Sequence, residues 1–154
     1  MADGSVVEIY IGPEFEQPMK SMDSVEAVAG GGLSGDRYFR EADVPDSERD
    51  PTEEVTLIES EAIETARRDH GLDLEARDTR RNIVTRGVTL ESLLGQTFFV
   101  GDVELEGLEP NPPCSHLERV SGKKLLKPLI KGGGIRARIV KSGSIRVGDP
   151  VRSG

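Results

Sequence analysis

The chain has 154 residues, one cysteine, 4% aromatic residues and a net charge of −8. This length fits one domain, residues 1–154, with a core of its own, and a single cysteine excludes both a disulfide framework and a multi-cysteine metal site within one chain. The negative charge and the scarce aromatics argue against nucleic-acid binding, and no apolar run approaches the roughly 20 residues that span a membrane.

The first half of the chain alternates between strand-like runs and polar loops. The opening residues lack the basic and apolar regions of a signal peptide, so we expect a cytoplasmic protein. A helix is predicted at about residues 59–70, where acidic residues come first, an apolar stripe follows, and Gly71 ends the pattern. We predict strands at 6–11, 25–29 and 55–58, and loops at 14–21 and 40–52.

From residue 82 onward, short apolar runs are separated by glycine turns. Strands are predicted at 82–85, 97–100, 103–108, 135–141 and 144–147, with helical turns at 89–94 and short helices around 116–120 and 123–130. Many short strands with few helices predict a mainly β (α+β) protein. We expect a closed or nearly closed β-barrel with a few short helices rather than a βαβ fold.

The only cysteine lies in the segment Pro112-Pro113-Cys114-Ser115-His116. The two prolines stiffen the loop that enters Cys114, and a thiol at the start of a short helix lies in a positive field that favours the thiolate. A turn could bring the His116 imidazole near the sulfur. Cys114 is therefore a candidate metal ligand or sulfur acceptor. The alternatives are a buried structural cysteine and a His116 that only caps the helix or meets solvent.

Three glycine- or arginine-rich segments are candidates for binding an anion. Glycine turns let backbone amides approach an anion, and arginine supplies a bidentate fork. Each segment alone is also explained without a ligand, the glycine runs by hairpin turns and the Arg80–Asn82 segment by a solvated basic corner. Together they predict a positive pocket on an acidic protein. The segments are Gly30-Gly31-Gly32-Leu33-Ser34-Gly35-Asp36-Arg37, Arg80-Arg81-Asn82, and Lys131-Gly132-Gly133-Gly134-Ile135-Arg136-Ala137-Arg138.

Lysine occurs at only six positions in this acidic chain. An acidic, lysine-poor surface keeps a protein soluble by charge repulsion. We interpret the composition as a sign of a salt-adapted source organism, with an ordinary acidic enzyme as the alternative.

The order of these segments resembles the MOSC domain, named for the C-terminal part of molybdenum cofactor sulfurases. The resemblance runs from about residue 6 to residue 151. The matching pieces are Gly32-Leu33-Ser34-Gly35-Asp36-Arg37, Arg80-Arg81-Asn82-Ile83-Val84-Thr85-Arg86-Gly87-Val88, Leu94-Gly95 with Phe98-x-Val100-Gly101, Pro113-Cys114-x-His116-Leu117, Gly133-Gly134-Ile135-Arg136-Ala137 and Ile145-x-Val147-Gly148-Asp149.

The resemblance implies a barrel-like β fold and an association with molybdenum cofactor chemistry. In the family, the cysteine that matches Cys114 either ligates molybdenum or receives sulfur from a pyridoxal-phosphate cysteine desulfurase. The first role implies an oxidoreductase component that binds molybdopterin and reduces small N-hydroxylated compounds. Its electrons would come from a partner protein, since the chain resembles stand-alone members without a ferredoxin domain.

The resemblance also assigns the site residues. In the reductase interpretation Cys114 ligates the metal, and the set that would hold the cofactor's phosphate and ring is Gly35, Asp36, Arg37, Arg81, Asn82, Gly133 and Arg136. In the alternative, Cys114 holds a persulfide for delivery to a metal–sulfur centre, and His116 or a neighbouring arginine stabilises the thiolate. A third possibility is a binding domain with neither activity.

Overall fold

A computed structural model describes residues 4–14, 16–41, 44–125, 127, 129 and 132–153. The two α-helices of this part are α1 (Ser60–His70) and α2 (Ser115–Ser121). Short 3-10 turns lie at Asp46–Glu48, Pro51–Glu53, Ala76–Thr79 and Leu90–Leu93. The strands are β1 (Gly4–Ile11), β2 (Lys20–Met22), β3 (Ser24–Val28), β4 (Gly32–Leu33), β5 (Val55–Glu59), β6 (Ile83–Arg86), β7 (Thr97–Val100), β8 (Val103–Pro110), β9 (Ile135–Lys141), β10 (Gly143–Arg146) and β11 (Pro150–Ser153).

Seven of the described strands close into a barrel in the order β1-β11-β7-β8-β9-β5-β6, with β6 pairing back to β1. The predicted closed β-barrel is therefore confirmed. All neighbours in the ring are antiparallel except β5 and β6, which are parallel and joined by α1. The barrel thus contains one βαβ crossover, although its sequence predicts a barrel rather than a βαβ fold.

Alternation along the strands separates two buried clusters. In β9, Ile135 and Ala137 face the interior of the barrel while Arg136 faces outward. In β5, Leu57 faces inward and Ile58 faces outward. The outward apolar residues form a second cluster with α1 and α2, so both helices lie on the outer surface of the barrel.

The remaining strands are additions to this ring. The strands β10, β3 and β4 form a small sheet whose buried side chains join the barrel's interior cluster. Strand β2 pairs with the second half of β1, and its residues 20 and 21 fall within a segment predicted to be a loop. Its sequence, Lys-Ser-Met, carries no alternation to detect, so pairing with β1 rather than local propensity makes it a strand.

The predicted helix at 123–130 lies partly outside the described residues. Residues 123–125 are not helical, and the Leu129 N–H donates to the Leu125 carbonyl at 3.1 Å. The predicted helices at 59–70 and 116–120 correspond to α1 and α2. None of the helices in the described part is long and apolar enough to cross a membrane.

Candidate functional site

Four of the predicted cofactor-binding residues converge on a small cleft on the outer face of β5 and β9. We call it the arginine cleft. Its volume is about 40 Å³, which admits a group of phosphate size rather than a whole pterin. The predicted residues in it are Asp36, Arg37, Asn82 and Arg136, and they are joined by Tyr38, Thr52, Glu53, Thr56 and Arg80.

Strand register brings Asn82 and Arg136 to this cleft. Thr56 pairs with Arg136 across β5 and β9, and Asn82 immediately precedes β6 beside Thr56. The Asn82 Oδ1 accepts hydrogen bonds from the backbone N–H and the hydroxyl of Thr56, both at 3.0 Å, and its Nδ2 donates to the Tyr10 carbonyl at 3.0 Å. Asn82 therefore joins the starts of two strands, and within the described part of the chain one N–H of its side chain is left over for a ligand.

Asp36 and Arg37 form another wall of the cleft, and the predicted residue Gly35 precedes them in the turn without lining it. Gly35 has a φ of +89°, a conformation that glycine adopts without strain. The buried Asp36 carboxylate accepts the Gly12 N–H at 2.8 Å and so anchors the turn to the end of β1. The Arg37 guanidinium lies 3.7 Å from that carboxylate and 4.6 Å above the centre of the Tyr38 ring.

Two further arginines complete the cleft. Arg136 donates from Nη1 to the Thr52 carbonyl at 3.3 Å, and its Nε lies 3.6 Å from a carboxylate oxygen of Glu109. Arg80 donates from Nη1 to the Gln17 carbonyl. Burial and the nearby positive charge of Arg37 lower the pKa of Arg80. An anion in the cleft would relieve this repulsion.

The predicted cofactor-binding residue Arg81 does not line the cleft. It is 7% exposed, and its guanidinium donates to three backbone carbonyls: Gly133 at 2.7 Å, Thr79 at 3.1 Å, and Asn111. Burial, with a smaller effect from Arg136, lowers the pKa of Arg81 to about 10, and Cys114 acts in the opposite sense. Arg81 therefore links the start of β6 to two segments, one at Asn111, which precedes the cysteine loop, and one at Gly133.

The close approach of those segments explains Gly133. A Cβ atom at Gly133 would lie 2.4 Å from the Asn111 carbonyl oxygen, closer than any ordinary contact. A side chain here would push the Gly132–Gly134 segment away from the loop that leads to Cys114. The predicted residue Gly133 thus lies beside the cysteine loop, and the hydrogen bond from Arg81 to its carbonyl holds it there.

Cys114 is an exposed, free thiol at the N-cap of α2. Its backbone is extended, with φ −138° and ψ 170°, and its side chain makes no capping hydrogen bond. The predicted position at the start of a short helix is confirmed, and the alternative of a buried structural cysteine is wrong.

His116 is placed on the surface of α2, with 51% of its side chain exposed. Its Nδ1 lies 2.8 Å from Arg119 Nη2 and 4.0 Å from a carboxylate oxygen of Glu16. In the described part of the chain it makes no polar contact with the Cys114 thiol. The expected proximity of imidazole and sulfur is not found in this conformation.

Tyr38, Thr52, Glu53 and Thr56 line the cleft without having been predicted to bind the cofactor, and so does Arg80. It stands in the predicted Arg80-Arg81-Asn82 segment, but adjacent side chains point in different directions and the sequence does not tell which one faces a ligand.

Among the described residues, no group of three or more histidine, cysteine, aspartate or glutamate side chains is arranged to hold a metal ion. A metal bound through Cys114 can take its remaining ligands from an organic cofactor. An exposed thiol and an arginine cleft of phosphate size are suited to such a group.

The family model of the MOSC domain matches residues 45–152 of the chain. Among solved structures, the YuaD protein of Bacillus subtilis superposes with a TM-score of 0.79 at 17% identity, covering 96% of this chain and 93% of that protein. YiiM of Geobacillus stearothermophilus gives 0.73 at 18% identity, covering 99% and 75%, and YiiM of Escherichia coli gives 0.71 at 18%, covering 100% and 70%. No curated protein sequence matches the chain. At these identities the structural likeness shows a common fold.

Proposed function

The chain belongs to the MOSC domain family, and from this premise we propose that it binds a molybdenum cofactor with Cys114 as the metal's protein ligand. The protein would serve as the reductase component for small N-hydroxylated compounds and receive electrons from a partner protein. A cytoplasmic location belongs to the same proposal.

The observation that carries the proposal is the link that Arg81 makes between two features suited to one ligand. Its guanidinium bonds to the carbonyls of Asn111 and Gly133, beside the cysteine loop. It also lies immediately before Asn82 and close enough to Arg136 for that positive charge to lower its pKa, and Asn82 and Arg136 both line the arginine cleft. A thiol and an anion site held on one framework suit a ligand with a metal at one end and a phosphate at the other.

The residues have two roles: some bind the cofactor, and others hold the cleft and the cysteine loop in position. Arg37, Arg80 and Arg136 hold the anionic end of the cofactor by charge-assisted hydrogen bonds. Asp36 and Asn82 keep the cleft in shape, and Arg81 positions the loop of Cys114. When bound, the cofactor supplies a metal centre able to remove an oxygen atom from the substrate.

A sulfur-carrier role is the second candidate, because the Cys114 thiol is exposed and makes no capping bond. In this role a cysteine desulfurase with pyridoxal phosphate is the partner, and Cys114 holds the transferred sulfur as a persulfide for a metal–sulfur centre. A carrier needs a reachable thiol and a docking surface. It does not need the arginine cleft, and for that reason we place it second.

The first prediction concerns molybdenum content. Protein purified from a host that makes the cofactor should contain nearly stoichiometric molybdenum, and Cys114→Ser should lose it while keeping the fold. Elemental analysis and circular dichroism measure the two properties, with Ser115→Ala as the neighbouring control. Molybdenum retained in Cys114→Ser would contradict the ligand assignment. Molybdenum absent from every form would favour the carrier, and mass spectrometry for a persulfide on Cys114 would follow.

The second prediction tests the arginine cleft by comparing two arginines on the same face of β9. Arg136→Ala should lower the cofactor content at least about tenfold, the effect of losing one charge-assisted contact. Arg138→Ala is the matched control: it removes the same charge two residues along β9, where Arg138 pairs with Glu106 outside the cleft. Equal cofactor content in the two variants would contradict an anion site in the cleft.

A further inference from the structure

A second cavity lies at the end of the barrel where β5 ends and β9 begins. We call it the glutamate cavity. Its volume is about 380 Å³, within the range of small-molecule sites, and it shares no described lining residue with the arginine cleft. Its lining includes two carboxylates, Glu59 and Glu91, and apolar surface from Leu90, Leu94, Pro110 and Ile135. We propose that this cavity binds a small organic cation with an apolar body, such as a protonated amine or amidine.

The charge of the cavity comes first from Glu59. It is half-buried at the junction of β5 and α1, and one of its carboxylate oxygens accepts the Leu90 N–H at 3.1 Å. Burial raises the pKa of Glu59, and the negative charges of Glu61 and Glu91 raise it further. Among the described residues, the charged groups that act on Glu59 are carboxylates, so a cation beside it would stabilise its ionised form.

The remaining lining determines the kind of cation. A Ca²⁺ ion takes six to eight oxygen ligands, whereas the described lining supplies two carboxylates, one of which is already engaged with a backbone N–H. Leucine, proline and isoleucine surfaces favour an apolar body next to the positive group. A cavity of this volume has room for one substituted ring.

The cavity also adjoins the segments that carry the proposed reaction. Pro110 lines it and lies four residues before Cys114, and the Asn111 N–H donates to the carbonyl of Gly134, another lining residue, at 2.8 Å. Its ligand would thus lie against the base of the cysteine loop. The inference goes beyond the proposed function and does not require it, because the binding is measured on protein that holds no cofactor.

Benzylamine is a suitable probe, and benzyl alcohol is its neutral analogue. Added to the cofactor-free full chain at neutral pH, benzylamine should shift the amide NMR signals of Leu90 and Gly134 and saturate them, while benzyl alcohol binds at least about fivefold more weakly. Glu59→Gln and Glu91→Gln should each weaken benzylamine binding by about fivefold, the effect of one ionic contact near water. Glu14→Gln, an exposed carboxylate elsewhere, should leave it unchanged.

The amide spectra also report whether each variant is folded. Glu91 is exposed, so Glu91→Gln keeps the test informative if Glu59→Gln is disturbed. Equal binding of the two probes, wild-type affinity in both variants, or shifts confined to other parts of the chain would each overturn the proposal. None of these results would alter the molybdenum content on which the proposed function depends.

Discussion

Arg80 and Arg81 are neighbours in sequence with opposite environments. Arg80 faces the arginine cleft, whereas Arg81 is buried and donates to three backbone carbonyls. A buried guanidinium is costly unless its donors are satisfied, and here the carbonyls of three separate segments satisfy them. The same bonds hold the residues before Cys114 in place, so Arg81 acts through the cysteine loop and not by direct contact with a ligand.

The third prediction therefore concerns stability. Arg81→Met should lower the free energy of unfolding by at least about 3 kcal/mol, because it leaves the carbonyls of Thr79, Asn111 and Gly133 without their donor. Urea denaturation measures the change. The control is Arg68→Met in α1, whose side chain is 74% exposed and whose loss should change stability by less than about 0.5 kcal/mol. Similar small effects in both variants would show that Arg81 does not hold the segments together.

At the scale of elements, α1 is the crossover that makes β5 and β6 parallel. Its buried residues Ile63 and Ala66 pack on the outer face of the barrel, in one cluster with Ile58 of β5 and Val84 of β6. Arg67 and Arg68 lie in its last turn, where cations favour the helix dipole, and Gly71 ends it in the left-handed conformation. The helix thus packs on the barrel through one narrow apolar stripe, and its Glu61 and Glu64 carboxylates accept hydrogen bonds from the Gly87 N–H and from Arg86.

The fourth prediction tests that stripe. Ile63→Ala should lower the free energy of unfolding by about 2–5 kcal/mol, because Ile63 is 2% exposed and its removal leaves a cavity against β5 and β6. The control is Thr65→Ala on the exposed side of the same helix, expected to change stability by less than about 0.5 kcal/mol. Denaturation curves of both variants give the comparison. A loss below about 1 kcal/mol for Ile63→Ala would mean that α1 is bound by other contacts.

Two features concern the whole molecule: how the barrel closes and how the net charge affects its stability. The barrel closes where β11 pairs with both β1 and β7, so residues from both ends of the described chain lie in one ring. The net charge of −8 makes the compact state repel itself, and its described ion pairs are mostly solvent-exposed and therefore weak. Salt therefore weakens the repulsion between like charges more than it weakens the stabilisation by ion pairs.

The fifth prediction is that stability rises with salt. Raising sodium chloride from about 0.1 M to about 1 M shortens the Debye length from about 10 Å to about 3 Å and should raise the midpoint of thermal unfolding. A variant that neutralises three exposed carboxylates, with Glu14→Gln, Asp23→Asn and Glu41→Gln, should respond less. A midpoint that falls with salt would contradict both the repulsion argument and the salt-adapted interpretation. If the midpoint of the variant rises with salt as much as that of the wild type, the rise does not come from screening of these carboxylates.

Much of the fold follows from local pattern. The strands at 6–11, 97–100 and 135–141 alternate or carry apolar runs, and the helix at 59–70 has an apolar stripe ended by Gly71, so single-segment reasoning predicted them. The position of Cys114 at the start of α2 also follows from the sequence, because the prolines before it end the preceding strand and leave a loop. Strand β2 has no such pattern and could not be predicted.

The sequence by itself determined the barrel class, the helix α1 and the placement of Cys114 in a loop before a helix, because these depend on residues close together along the chain. Only the tertiary structure decided that Arg80 and not Arg81 lines the arginine cleft, that His116 lies 4.0 Å from Glu16, and that Glu59 and Glu91 share a cavity. Those outcomes depend on register between strands and on which segments meet when the barrel closes. Contacts of this kind join residues tens of positions apart, and no local pattern records them.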